Sequence, residues 1–284
     1  MREGNRRGGL EVKIHPLRMR APSDLVKRKM RRCVIQGPCR LITIGLSHYC
    51  EKARWALTLS GVDWREEAHG PGFHGPAIRR AGGRRTAPAL VTAEGVLSDS
   101  TDILRHLDRR LPQGRRFFPN AESEALEARF DDTVGPHTRR FAYHHMLGRR
   151  GLTLPLMQHG VPRFEAAVLW LLYPLLARLM RRGMRIDEAG AARSRATLEA
   201  EVAFVNGLLA DGRPYLAGAA FSAADLTFAA LFAPVLCVPE YAWPLPPIDA
   251  LPPVLQEDVR RWRESPAGRH VLRVYATARA AWPT

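Results

Sequence analysis

Lysine is nearly missing from this chain. Only four lysines occur, at positions 13, 27, 29 and 52, and the remainder of the 43 Lys and Arg residues are arginines. Cysteine is scarce too: Cys33, Cys39, Cys50 and Cys237 are scattered over 284 residues. Such spacing makes no disulfide framework, and no Cys/His cluster has zinc-ligand spacing, so no metal site is expected. A reducing, cytoplasmic setting is the expectation. Long apolar runs are also lacking. The longest, at 166–177, contains Pro174 and is followed by Arg178, Arg181 and Arg182. It falls short of the roughly 20 residues of a membrane span and predicts a buried helix. No signal-peptide pattern is visible, and no membrane association is expected. Aromatic residues do not interleave with the basic ones, as a single-strand nucleic-acid binder requires. The formal net charge of +15 therefore reads as an arginine-rich genomic bias, and nucleic acid is not an expected partner.

The charge is uneven. Residues 1–40 hold twelve Lys/Arg and three Asp/Glu, with no periodicity. They read as a basic, disordered arm. A mitochondrial targeting peptide, or a chain truly starting at Met30, fits the same composition.

Regular patterning begins at residue 41. Leu41–Gly45 reads as a strand, Cys50–Ser60 as an amphipathic helix ended by Gly61, and Val62–Ala68 as a second strand. A Gly- and Pro-rich stretch follows at 69–83, with one helical turn. Residues 89–98 form a hairpin about Glu94-Gly95, and Ile103, Leu104, Leu107 and Leu111 mark a helix that stops at Pro112. The expected fold class is an α/β thioredoxin-like domain (βαβαββα) at 41–111. After a linker at 112–120, an all-α bundle occupies 121–284. Its predicted helices run over 121–148, 163–183, 187–210, 222–236 and 253–282, with breaks at Gly151, Pro155, Gly160, Pro162 and Gly212. Phe221-Ser222-Ala223-Ala224-Asp225-Leu226 has the form of a capping box with a hydrophobic staple.

Ser47-His48-Tyr49-Cys50 joins the first strand to the first helix. Ser47 sits at a helix N-terminus, where backbone N–H groups and the macrodipole favour an anion. The spacing Ser-x-x-Cys mimics half of a redox Cys-x-x-Cys, so the serine faces either a redox partner or a bound anion; plain N-capping is a third reading. Thr86-Ala87-Pro88 lies about forty residues on, just before the hairpin, and Asp99-Ser100 opens the third helix.

Ser47-x-x-Cys50, Thr86-Ala87-Pro88, Asp99-Ser100 and a helical second domain together resemble the cytosolic glutathione S-transferases. The likeness is to serine-type classes such as theta, zeta and delta, without singling out one. It implies that glutathione is the co-substrate and that the hydroxyl of Ser47 stabilises its thiolate. It implies a cis Pro88, with Ala87 offering its backbone to the cysteinyl unit. Asp99 and Ser100 would take the γ-glutamyl end, and Arg85, His74 or His69 the glycine carboxylate. Cys50, at the resolving-cysteine position, is expected to pack inward. The expected activity is transfer of glutathione to a small hydrophobic electrophile by a homodimer. His144, His145, Tyr173, Met180 and Met184 are candidates for the electrophile's walls. The same site suits a glutathione-dependent peroxidase, dehalogenase or isomerase, and the same fold a non-catalytic binding module.

Overall fold

The computed structural model describes residues 39–282; the expected arm lies almost wholly outside them. Strand β1 (Cys39–Ile44) is central in a four-stranded sheet ordered β2-β1-β3-β4. Leu41 and Ile42 are fully buried, as the apolar run requires. Helix α1 (His48–Ser60) crosses over to β2 (Trp64–His69), which pairs parallel to β1 from Cys39↔Trp64 to Ile44↔His69. Strands β3 (Ala89–Thr92) and β4 (Gly95–Leu97) form the hairpin, and β3 runs antiparallel to β1. Two short helices complete this part, α2 (His74–Arg80) and α3 (Ser100–Asp108). The arrangement is the expected βαβαββα. Both first strands differ by a residue or two from expectation. β1 starts early, at Cys39, where Arg40 meets Glu67 across the sheet at 2.5 Å. β2 starts late, because the chain must first leave α1 through Gly61, whose φ of 64° is left-handed.

The helical part comprises α4 (Ala121–Met146), α5 (Arg150–Gln158), α6 (Arg163–Gly183), α7 (Glu188–Leu208), α8 (Ala223–Leu236), α9 (Pro253–Glu264) and α10 (Pro266–Ala278). Helix α8 is apolar on every side and packs against α1, α4, α9 and α10, so it forms the centre of the bundle. Its start is pinned by the expected capping box. Asp225 Oδ2 accepts from the Ser222 N–H at 3.0 Å, while its Oδ1 takes the Leu216 N–H at 2.8 Å and meets His270 Nε2 at 2.9 Å. One carboxylate thus fastens a loop and α10 to the helix.

Two helical expectations are corrected. Gly151 and Pro155 do not break the chain but lie within α5. The predicted helix at 253–282 is two helices: Ser265 ends α9 and caps α10, accepting from the Gly268 N–H at 3.0 Å. The pair Ser265-Pro266 is a start signal that the continuous apolar periodicity hid.

Helices α5 and α6 form a hairpin with a small apolar core of its own, centred on Leu154, Met157, Leu169 and Tyr173. It is docked on the end of β2. Glu165 Oε2 accepts from the Gly70 N–H at 2.8 Å, and its Oε1 lies 2.6 Å from His69 Nδ1. Gly70 has no room for a side chain here, since a Cβ would stand 2.6 Å from Leu169. No helix of the described residues is long and apolar enough to cross a membrane.

Candidate functional site

The sheet brings the expected site residues to one edge. β1 ends at Ile44 and leads into Ser47. Ile42 pairs with Ala89, which puts Pro88 one step beyond that pair toward the same end of β1. Leu97 pairs with Leu90, so Asp99 and Ser100 leave β4 at that edge too. The loop and the hairpin end are tied together: Thr86 Oγ1 donates to Ser98 O at 2.8 Å, and Arg84 N–H to Ser98 Oγ at 2.9 Å. The Ala87–Pro88 peptide bond is cis, as the resemblance implied.

Ser47 is the N-cap residue of α1, yet its side chain accepts no capping hydrogen bond. Cys50 is fully buried, and burial pushes its thiol up to about 11. It is a protonated core residue at neutral pH. At α3 the carboxylate of Asp99 does cap, accepting from Thr101 N–H at 2.8 Å and Asp102 N–H at 3.2 Å. Ser100 is buried beside it and has no hydrogen-bond partner for its hydroxyl among the described residues. Arg85 is exposed and lies near Gly75 of α2. Both ring nitrogens of His69 face carboxylates, Glu165 and Glu67. Of the three candidates for the glycine carboxylate, that leaves Arg85 and His74 without a carboxylate partner.

Beyond Ser47 opens a cleft of about 350 Å³ between the sheet part and the helices. Its floor is Leu46, Ser47 and His48, and its walls are mostly apolar, including Met146 of α4 and Met180 of α6. His48 is held by a 2.8 Å hydrogen bond between Nε2 and Gly135 O. Burial, and secondarily Arg139, lowers its pKa to about 3, so the ring is neutral and donates that bond. The neighbouring Tyr49 hydroxyl donates to Asp131 O at 3.0 Å. The two contacts seat α1 on α4 where Gly135 leaves space; a Cβ there would stand 2.1 Å from the Tyr49 oxygen.

Of the five residues that could wall the electrophile or pack in the core, Met180 and Met184 line the cleft; His144, His145 and Tyr173 do not. The Tyr173 hydroxyl instead donates to Leu147 O at 3.0 Å in the hairpin core. The sequence reading missed Thr138, Arg139 and Tyr143, which do line the cleft. With Gly135, Ala142 and Met146 they follow helical spacing along one face of α4. Nothing in the pattern marks that face as facing a ligand and not a core.

Residues 41–115 match the family model described as the glutathione S-transferase N-terminal domain. This chain has the glutathione S-transferase fold. Glutathione transferase GSTFuA2 from Phanerochaete chrysosporium aligns with a TM-score of 0.58 at 20% identity, over 85% of this chain and 98% of its own. A glutathione transferase of Ceriporiopsis subvermispora, solved with glutathione, gives 0.55 at 14% identity, over 84% and 97%. The β-etherase LigF from Sphingobium sp. strain SYK-6 gives 0.52 at 18%, over 83% and 98%. No protein of curated function matches the chain in sequence. Within this glutathione S-transferase fold, Ser47, Ala87–Pro88 and Asp99–Ser100 lie at the same end of the sheet, and of these Ser47 lines the cleft.

Proposed function

We propose that this protein is a glutathione transferase that binds glutathione along the sheet edge and activates its thiol at Ser47. The observation that carries the reading is the position of Ser47. It is an N-cap hydroxyl with no capping bond, lining an apolar cleft. Ala87 would pair its backbone with the cysteinyl unit next to the cis Pro88. Asp99 would take the α-ammonium group, and the Ser100 hydroxyl with the first amides of α3 the α-carboxylate. Arg85 would meet the glycine carboxylate.

The Ser47 hydroxyl would donate to the sulfur and, with the α1 N-terminus, favour the thiolate. The thiolate lone pair then forms a carbon–sulfur bond to the electrophile, and the bond to the leaving group breaks with its electron pair. The thiol proton has already gone to solvent. An apolar cleft suits a small hydrophobic electrophile, and the cytoplasm is the compartment proposed for such an enzyme. The test is retention on immobilised glutathione together with turnover of 1-chloro-2,4-dinitrobenzene. Retention with turnover is the expected result; retention without turnover would replace the transferase by a glutathione-binding module, and the absence of both would overturn the reading altogether.

The proposed partner is a second copy of the chain. Of the seven strongly exposed large hydrophobic side chains among the described residues, six lie on α6. Phe164, Leu171, Leu175 and Leu179 recur at the spacing of a helix–helix seam, each more than half exposed. A two-fold contact would lay α6 against its copy and cover the stripe on both. Light scattering after size exclusion should give twice the chain mass, and one chain mass for the double variant Leu171→Asp, Leu175→Asp. A monomeric wild type would overturn this.

A further inference from the structure

Arg139 and Arg140 are neighbours on α4 with opposite situations. Arg140 is engaged: its Nε donates to Met184 O at 3.0 Å and its Nη1 to Ser194 Oγ at 3.2 Å. Arg139 makes no hydrogen bond and no ion pair among the described residues. It lies where the apolar cleft adjoins a second, shallower depression of about 250 Å³ walled by Pro136, Arg140 and Arg185.

Arg139 is exposed to solvent, and the cleft it borders supplies no counter-charge. No carboxylate lines it, and Arg139 is its single formally charged residue. His48 is neutral, and burial likewise lowers the pKa of His74. Up the helix, Asp131 is taken by Lys52 at 2.6 Å, and neither Asp131 nor Asp132 forms an ion pair with Arg139. An independent feature adjoins it. Thr138 is fully buried, lines the same cleft, and its hydroxyl has no partner. A buried polar atom without a partner is costly unless something fills the place. Tyr143, one helical turn on, lines the cleft as well. Arg139, Thr138 and Tyr143 thus bring polar groups to a mostly apolar wall.

We propose that the electrophiles of this protein are amphipathic organic anions, an apolar or aromatic body with one carboxylate or sulfonate, whose anionic group pairs with Arg139 and accepts from Thr138. The proposal rests on the glutathione transferase reading for its chemistry but not for its binding step. The apolar body would fill the cleft toward Ser47 and set the reacting carbon against the thiolate. The charge at the far end would fix its orientation. Arg139 is thereby a specificity-determining residue.

Binding is tested without glutathione, by fluorescence titration with 1-anilinonaphthalene-8-sulfonate and with the neutral N-phenyl-1-naphthylamine. Arg139→Gln should shift the ratio of the two dissociation constants about tenfold against the anion. Arg139→Lys should restore part of it, and Thr138→Val should shift the ratio in the same direction by less. An unchanged ratio would overturn the proposal. Turnover is then compared for 4-chloro-3-nitrobenzoate and 1-chloro-2,4-dinitrobenzene as a ratio of kcat/KM. Arg139→Gln should lower that ratio about tenfold. An equal fall for both substrates would make Arg139 a thiolate-stabilising group. A raised KM for glutathione at unchanged ratio would assign it to the tripeptide. Either result overturns the proposal. A wild type that neither binds glutathione nor turns over either halide would sink the transferase reading, while the dye titrations still decide this one.

Discussion

Ser47→Ala is expected to lower kcat/KM for conjugation by about two orders of magnitude while barely changing stability. The two effects separate because of how the serine sits. An N-cap that holds a backbone N–H typically costs ~1 kcal/mol when cut to alanine. The Ser47 side chain holds none, so its loss should be thermally almost silent. Its loss to chemistry is larger, because a preorganised donor aimed at developing or full negative charge contributes about 10²–10³ in rate. The amides at the start of α1 remain in the variant, so some activation of the thiol survives. The pKa of bound glutathione, followed through thiolate absorbance, should rise in Ser47→Ala. Cys50→Ala is the control. The Cys50 thiol is fully buried and pushed up to about 11, so it supplies no thiolate at neutral pH, and its removal should leave turnover within a few-fold. Full activity in Ser47→Ala with none in Cys50→Ala would invert the assignment.

Lys52→Met is the substitution expected to cost the most stability. Lys52 is the one lysine of the chain outside the basic arm, and it is completely buried. Its ammonium donates to Glu127 Oε1 at 2.5 Å, Asp131 Oδ1 at 2.6 Å and Thr101 Oγ1 at 2.9 Å. All three N–H protons are thereby used. The partners come from α3 and α4, so one side chain on α1 joins the sheet part to the helical bundle. Thr101 closes the ring by donating to Glu127 Oε1 at 2.7 Å. Methionine fills the same space but leaves two carboxylates facing each other without a cation, Glu127 almost fully buried. Removing one partner of a buried pair costs about 3–5 kcal/mol, whereas removing the whole set often costs little. Urea unfolding should show a loss of that size for Lys52→Met, and recovery of much of it in the triple variant with Glu127→Gln and Asp131→Asn. A loss under ~1 kcal/mol would mean that the cluster holds nothing together.

Both predictions concern residues of α1, but they were unequally visible in the sequence. Ser47 was legible because strand, hydroxyl and helix follow one another within a few residues, and local capping chemistry is a short-range matter. The same holds for the hairpin before Gly95, for Gly61 at the end of α1, and for the Ser222–Asp225 box. Lys52 carries no such local mark. Its partners lie 49, 75 and 79 residues away, and no periodicity reports such distances. Helix α5 was hidden for a related reason. Gly151 and Pro155 are local breakers, but Leu154, Leu156 and Met157 are buried against the rest of the fold, and that burial outweighs the backbone penalty.

The order of the strands, the hairpin and several helix caps follow from neighbours in the chain, because turns, caps and apolar alternation act over one to four residues; the cis Ala87–Pro88 bond was implied by the family resemblance alone. The joining of Ser47, Pro88 and Asp99 at one edge follows once the sheet register is known. Which face of α4 meets a cleft and which meets a core does not follow from either. Arg139 and Arg140 are adjacent and chemically identical. Packing of the α5–α6 hairpin and α7 around α4 consumes one guanidinium and leaves the other beside an apolar cavity. Burial and charge pairing are collective properties of the packed chain, and they decide what each residue is available to do.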